Sequence, residues 1–349
     1  MSLFSETVTK VIQSFEDKIV VFSVMRNERF RIEAWIAHYR NVGIHQFFII
    51  DNGSSDGTYE FLLNQHDVVV EKTQASFRDS KFGIEWLNSF RKIIGPDKWV
   101  LFADADELLV YEGWLERPIT EIIAKAEAHG CNAFFGFMLD MYPDGPLDSS
   151  PSERCTNLFS IAPCFDSDYE FKFLPKKPWS STGLNYLTVI GGPRIRFLST
   201  MEHERAVSWL DLFIREQTDR IAHWAPAPFI AAIVRCLPKW MPALNKTPLA
   251  RGGTEFQYFN NHGGGGAKYY KQNVVLCHFK FLHDFDSRVR VEVARKEHYR
   301  NAGEYVMYAD LIKKYGCLDL RYPGTQRFVS SEQLVKLGLI REMAWTRLE

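Results

Sequence analysis

Asp104 and Asp106 flank Ala105 directly after the apolar run KWVLFA at 98–103. In an extended segment alternate side chains share a face, so this spacing points both carboxylates the same way. Two hard oxygen ligands at a strand end suit Mg²⁺ or Mn²⁺, which keep positions for water and for the oxygens of a diphosphate. Two further polar clusters close apolar runs in the same manner. Arg26-Asn27-Glu28 follows the run KIVVFSV at 18–24, and Asp51 follows QFFII at 46–50. Three polar clusters at the ends of apolar runs make a site if those runs are neighbouring strands.

The elements between them predict that they are. The β-branched and aromatic runs 18–24, 46–50 and 98–103 read as buried strands, with a weaker one at 67–71. Ile32, Trp35, Ile36 and Tyr39 recur at helical spacing until Gly43 ends the helix. Asp56 stands where it could cap the helix that follows the turn-forming stretch 51–58, and Ile84–Ile94 reads as another helix. Strands alternating with helices describe an α/β fold with a mostly parallel sheet, in which ligands bind outside the carboxyl ends of the strands. The clusters fall at those ends. Neither G-x-G-x-x-G nor G-x-x-x-x-G-K-[ST] occurs, so the usual phosphate cradles of dinucleotide and P-loop sites are missing. The four glycines 263–266 read as a flexible loop.

Composition narrows the classes further. With 46% hydrophobic and 14% aromatic residues the 349-residue chain is expected to fold. It contains no apolar run of ~18 residues, and its N-terminus lacks the basic start, apolar stretch and cleavage site of a secretory signal. Six scattered cysteines without a C-x-x-C pair read as reduced, and a cytoplasmic setting is expected. Residues 1–175 hold 16 basic and 27 acidic side chains, residues 176–349 hold 26 and 16. Such halves attract each other, hold a polyanionic substrate or face a membrane surface. Nucleic acid is not an expected partner, because basic tracts and an RNP1 stretch are absent.

The order Ser23-Val24-Met25-Arg26-Asn27-Glu28, Glu33-Ala34-Trp35-Ile36-Ala37-His38-Tyr39, Gly43-Ile44, Asp51-Asn52-Gly53-Ser54-Ser55-Asp56-Gly57-Thr58 and Asp104-Ala105-Asp106-Glu107 resembles the family 2 glycosyltransferases of GT-A fold. Within them it is similar to the bacterial branch related to the domain of unknown function 23 and family 92 enzymes. A second stretch, Lys246-Thr247-Pro248-Leu249, His262 and Leu276-Cys277-His278-Phe279-Lys280-Phe281, is similar to the later motifs of that family, and Gly191-Gly192-Pro193-Arg194 is less specifically so.

The resemblance implies a metal-dependent inverting glycosyltransferase. It would move a sugar from a nucleotide-sugar donor, a uridine one by family habit, to a saccharide or lipid-linked saccharide acceptor. The implied organisation is an N-terminal extension (1–17), a GT-A domain (18–285) and a helical C-terminal extension (286–349). Residues 18–110 of the domain would hold the donor; 111–285 would supply the acceptor side and the later motifs. Met25, Arg26, Glu28 and Asp51 would sit on the nucleoside, Asp104 and Asp106 on metal and ribose, Arg194 and Lys246 on the diphosphate. A late histidine, His278 or else His262, would complete the shell of Mn²⁺ or Mg²⁺. Inversion needs a carboxylate that takes the acceptor's proton. Asp140, placed at the end of the strand read at 132–139, is preferred to Glu202. Trp179, Trp224 and Trp240 could stack on sugars or lie in the core. The proline-broken apolar segment 228–244 would lie on the inner face of a membrane or line the acceptor cleft. Two other classes stay open: a sugar nucleotidyltransferase, which would want a glycine-rich loop where VMRNE stands, and a non-catalytic carbohydrate-binding protein.

Overall fold

The computed structural model describes residues 3–150, 155–174, 186–196, 244–297, 299–343 and 345. Along β1 (Ile19–Met25) the side chains alternate between two cores: Ile19, Val21 and Met25 join one apolar cluster, Val20 and Phe22 the other. β2 (Phe47–Asp51) and β4 (Trp99–Phe102) flank it, with β3 (Val68–Lys72) beyond β2, and β2 and β4 divide likewise. Phe47, Ile49, Trp99 and Leu101 face one core; Phe48, Ile50, Val100 and Phe102 face the other. A strand buried on both faces needs an unbroken apolar run, which is what these segments supply.

The helices that cover the two cores are α1 (Glu6–Gln13), α2 (Ile32–Asn41), α3 (Thr58–Leu63), α4 (Ile84–Ile94) and α5 (Ile119–Ala128). α2 and α5 pack on the larger core, α1 and α4 on the smaller. Gly43, at φ +90°, takes the left-handed conformation that stops α2. Asp56 serves the start of α3 from one residue before Gly57, the capping position, its Oδ1 accepting from the Thr58 amide at 3.0 Å.

After β4 come β5 (Glu107–Val110), β6 (Ala133–Tyr142), α6 (Leu158–Ile161), β7 (Cys164–Asp166), β8 (Glu170–Leu174), β9 (Tyr186–Ile190), β10 (Asn245–Arg251), β11 (Gln257–Asn260), β12 (Gly263–Gly265) and β13 (Val274–His278). The chain ends with α7 (Phe285–Arg295), α8 (Tyr299–Tyr315), β14 (Thr325–Arg327) and α9 (Ser331–Lys336). The main sheet runs β14-β7-β6-β10-β4-β1-β2-β3, with β13 paired to β6 and β5. Strands β3, β2, β1 and β4 are parallel, as are β13 and β6; β10 enters antiparallel to both β4 and β6. The result is the expected α/β class: a mixed sheet flanked by helices, Rossmann-like over its parallel half and consistent with a GT-A fold. The chain steps from β1 outward through β2 to β3, then returns to the far side of β1 as β4. That reversal opens a crevice at the carboxyl ends of β1 and β4.

Two local expectations need correction. The strand read at 132–139 runs on to Tyr142, so Asp140 lies inside it, opposite His278. The glycines 263–266 are no loose loop, for Gly263–Gly265 is β12, paired with β11. A Cβ at Gly264 would run into the Gln257 carbonyl, so glycine is what lets the two backbones approach. In the C-terminal stretch, α7, α8 and α9 alternate with turns and irregular segments, and β14 pairs with β7 and ties the stretch to the sheet. Of the cysteines, 131, 155, 164, 277 and 317 are free thiols. Among the described residues no helix is long and apolar enough to cross a membrane.

His38, in the second of the resembling motifs, belongs to this core. Its Nε2 meets the Leu109 carbonyl at 2.8 Å, and burial pushes its pKa from 6.5 down to about 4. A base with a depressed folded pKa contributes stability that is present above 6.5 and lost as pH falls through about 4, amounting to roughly 3 kcal/mol. Unfolding free energy measured from pH 7 to pH 4 is therefore expected to fall less steeply in His38→Gln than in the parent. Parallel slopes would assign the acid loss elsewhere.

Candidate functional site

Asp104, Ala105 and Asp106 occupy the turn between β4 and β5, closed by the Glu107 amide donating to the Asp104 carbonyl at 3.0 Å. The extended geometry expected from the spacing is thus replaced by a turn, and the two carboxylates diverge. Side chains from the early motif hold this turn. Trp35 Nε1 donates to the Asp104 carbonyl at 2.9 Å, the Tyr39 hydroxyl to the Glu107 carbonyl at 2.9 Å, and Ser23 Oγ to the Ala103 carbonyl at 2.7 Å. The helical spacing of Trp35 and Tyr39 therefore serves the site as well as the core.

Asp104 turns to Lys246. The ammonium lies 3.1 Å from Asp104 Oδ2 and 2.8 Å from Glu107 Oε1, while Glu107 Oε2 accepts the Asp104 amide at 3.1 Å. Burial works against the charge of Lys246, but Asp104 and Glu107 outweigh it and raise its pKa. Asp104 keeps 40% of its side chain exposed, and Glu107 is wholly buried.

Asp106 turns the other way. Its Oδ2 lies 3.6 Å from His278 Nε2 and 3.9 Å from Arg288 Nη2, and the Phe279 amide fixes its carbonyl at 2.7 Å. His278 Nδ1 meets Asp140 Oδ1 at 2.7 Å, and the other oxygen of Asp140 accepts from Arg194 Nε at 2.7 Å. Burial opposes ionisation of Asp140, yet Arg194 and His278 keep its pKa low. An ionised Asp140 can only accept, so Nδ1 carries a proton and Nε2 faces Asp106.

A third group ties the C-terminal stretch to this centre. Arg288, on α7, forms a two-pronged pair with Glu28 at 2.9 and 3.1 Å. Arg31, fully buried, binds both oxygens of Asp284 at 2.8 and 2.6 Å and approaches Glu28 at 3.5 Å. Burial raises the Glu28 carboxyl to about 7, against the pull of Arg288 and Arg31. Lys280 and Arg194 hold the Glu304 carboxyl of α8 down at about 2 despite its burial. The carboxylates at 28, 104, 106, 107 and 140 come from the acidic half of the chain. The cations at 194, 246 and 288 that pair with them come from the basic half, as does Lys280, whose partner Glu304 lies in the same half.

These groups open on one cavity of about 1030 Å³ at the crevice between β1 and β4. Of the residues singled out in sequence, Met25, Arg26, Glu28, Asp104, Asp106, Arg194, Lys246, His262 and His278 line it; Asp51 and Asp140 do not. Asp51 is buried at the end of β2, its Oδ1 accepting the Gly53 and Ser54 amides at 3.2 and 3.1 Å, and it is Asn52 that reaches the wall. Glu202, Trp179, Trp224, Trp240 and all of 228–244 except Leu244 lie outside the described residues. Arg288 and Glu304 were not found by sequence reading. No motif marks them; the amphipathic pattern that buries Phe285 and Val289 in α7 is the one signal nearby.

Among the described residues no three His, Cys, Asp or Glu side chains converge as a metal site. Asp106 and His278 converge as two. They would supply a metal ion with a hard carboxylate oxygen and a neutral imidazole nitrogen, leaving its other positions to water and diphosphate oxygens. The carboxylate behind the imidazole is what such a ligand histidine ordinarily carries. The donor set therefore fits Mg²⁺ or Mn²⁺ through Asp106 and His278, with Asp104 engaged instead by Lys246.

No protein-family model and no curated protein sequence matches the chain. Parts of it resemble solved structures. TarS of S. aureus is 16% identical over 45% of this chain and 30% of its own, with a TM-score of 0.28. Glucosyl-3-phosphoglycerate synthase from Mycobacterium tuberculosis, in complex with Mn²⁺ and UDP-glucose, is 15% identical over 39% and 48%, with a TM-score of 0.25. A 4-diphosphocytidyl-2C-methyl-D-erythritol synthase is 13% identical over 40% and 65%, with a TM-score of 0.25. The matched part spans less than two thirds of each of these proteins, and likenesses of this depth say nothing about activity.

Proposed function

We propose that this chain is a metal-dependent, inverting glycosyltransferase that moves a sugar from a nucleoside diphosphate, uridine in the first instance, to a saccharide or lipid-linked saccharide. The observation that carries the reading is the facing of Asp106 and His278 Nε2 at 3.6 Å, backed by Asp140, at the crevice of the parallel sheet.

Asp106 and His278 would hold the Mg²⁺ or Mn²⁺, which when bound neutralises diphosphate oxygens and helps the nucleotide leave. Met25, Arg26 and Asn52, at the ends of β1 and β2, would meet the nucleoside. Asp104, half exposed beside Lys246, would reach the ribose, and Asp51 would act only through the turn that presents Asn52. Lys246, Lys280, Arg194 and Arg288 are fixed in place by their carboxylates before any ligand arrives. They need little reorganisation as negative charge gathers on the leaving diphosphate, and preorganised charge is the strongest means of lowering such a barrier. Glu28 positions Arg288. Asp140 is unsuited to the proton transfer expected of it: it is fully buried with both oxygens engaged. Its role on this reading is to orient His278, and the acceptor's proton goes to a group on the acceptor side. The Arg26-Asn27-Glu28 loop contains no glycine, which disfavours nucleotidyl transfer.

Calorimetry with UDP tests the reading. Binding is expected in Mn²⁺ and to be lost in EDTA, and Asp140→Ala should weaken Mn²⁺ affinity by about 10- to 100-fold through the freed imidazole. Equal UDP affinity with and without metal, or unchanged Mn²⁺ affinity in Asp140→Ala, would count against the site as described.

A further inference from the structure

The β11–β12 hairpin places an aromatic ring and an imidazole on the same cavity wall. Phe259 is 52% exposed and lines the cavity, whereas its neighbours Phe256 and Tyr258 are buried. The pairing register slips between Tyr258 and Asn260, which makes Phe259 the bulged residue, and bulges re-aim side chains. A Cβ on Gly265 would stand 2.8 Å from the Phe259 ring, so the glycine strand is what allows the ring to lie against it.

The hairpin is anchored before any ligand binds. Asn88 of α4 bonds both the amide and the carbonyl of Tyr258, at 3.1 and 2.9 Å. The Tyr258 hydroxyl donates to the Thr247 carbonyl at 2.6 Å, and Arg91 to the Phe256 carbonyl at 2.7 Å. At its tip the His262 amide donates to Asn260 Oδ1 at 2.8 Å, and Nδ1 lies 3.1 Å from the Asn245 carbonyl. A carbonyl only accepts, so Nδ1 holds the proton and Nε2 is left as an acceptor on the cavity side. Burial and the adjacent Lys246 lower the pKa of this imidazole to about 4, which keeps it neutral near pH 7.

A rigid apolar face beside a hydrogen-bond acceptor is complementary to a pyranose, which offers a face of C–H bonds and a rim of hydroxyls. We propose that Phe259 and His262 form a sugar-reading subsite, Phe259 stacking on a pyranose ring and His262 Nε2 accepting from one of its hydroxyls. This rests on the glycosyl-transfer reading, which requires a pyranose in the cavity. The ring could belong to the donor or to the acceptor, and both present the same chemistry.

The test titrates the parent, Phe259→Leu, Phe259→Trp and His262→Ala in Mn²⁺. The probes are UDP, then UDP-glucose, UDP-galactose and UDP-N-acetylglucosamine, then methyl pyranosides of the same sugars with UDP bound. UDP is expected to bind all four proteins alike. If the ring is the donor's, the preferred UDP-sugar should bind Phe259→Leu and His262→Ala about three- to tenfold more weakly, with Phe259→Trp close to the parent. If the ring is the acceptor's, UDP-sugar affinity should stay and the same loss should appear with the preferred glycoside. Parent-like sugar binding in both arms, equal loss of UDP itself, or failure of Phe259→Trp to restore binding would overturn the subsite. So would a parent that binds UDP but no sugar in either arm. A parent that binds no UDP would sink the transfer reading and the subsite with it.

Discussion

Asp106→Asn is expected to lower glycosyl transfer by at least about a hundredfold and to abolish metal-dependent UDP binding, with the fold intact. One of the two protein ligands would be lost, and Asp104 is held by Lys246. The fold should survive because the amide is isosteric and Arg288, released from one carboxylate at 3.9 Å, keeps its two bonds to Glu28. Asp104→Asn should behave differently. Its side chain is 40% exposed and bound to Lys246, which still has Glu107 at 2.8 Å, so a loss of about tenfold and largely unchanged Mn²⁺ affinity are expected. The ranking of the two variants is the discriminating result. A D-x-D read as two equivalent ligands on one strand face predicts equal losses. The turn between β4 and β5 predicts Asp106 far above Asp104. Turnover and Mn²⁺ calorimetry on both variants decide it, and equal losses, or near-parent turnover of Asp106→Asn in saturating Mn²⁺, would overturn the metal assignment.

That ranking also shows what was legible in sequence. The runs at 18–24, 46–50 and 98–103 announce themselves because both faces of β1, β2 and β4 are buried, leaving no polar alternation to confuse them. Once they are parallel strands, the polar residues that follow must share an edge, and Met25, Arg26, Asp104 and Asp106 duly meet in one cavity. Local spacing could not reveal pairings between distant segments. Asp140 faces His278 because β6 lies parallel to β13, a contact across 138 residues, and a reading that ends the strand at Leu139 cannot see that pairing. The glycines of β12 look loose by composition and are ordered by β11. Arg288 reaches Glu28 across 260 residues, held by the Arg31–Asp284 pair, and no motif encodes that docking. The imbalance between acidic and basic halves did carry this information in coarse form, since the two meet as ion pairs around the cavity.

Lys246→Met is expected to destabilise the protein by roughly 3–5 kcal/mol at pH 8, far more than loss of a surface lysine. Its ammonium is almost fully buried and offsets Asp104 and Glu107 together. Asp104 can turn to water; Glu107, wholly buried beneath it, cannot. Burial already raises the Glu107 carboxyl and Lys246 is the main group pulling it down, so the variant should raise it further. For an acid whose folded pKa is raised, stability is fully present below the unfolded value and is lost as pH rises through the folded one. The deficit of Lys246→Met should therefore be greatest at pH 8 and shrink toward pH 5, as Glu107 takes up a proton. Adding Glu107→Gln removes the stranded charge and should recover most of the loss at pH 8, a coupling that a mere packing defect would not show. UDP binding should stay weak in the double variant if Lys246 faces the diphosphate as proposed. Urea unfolding at pH 5 and pH 8 on the two variants separates the cases. A deficit that is independent of pH and unrelieved by Glu107→Gln would mean that Lys246 holds the site together by packing rather than by charge.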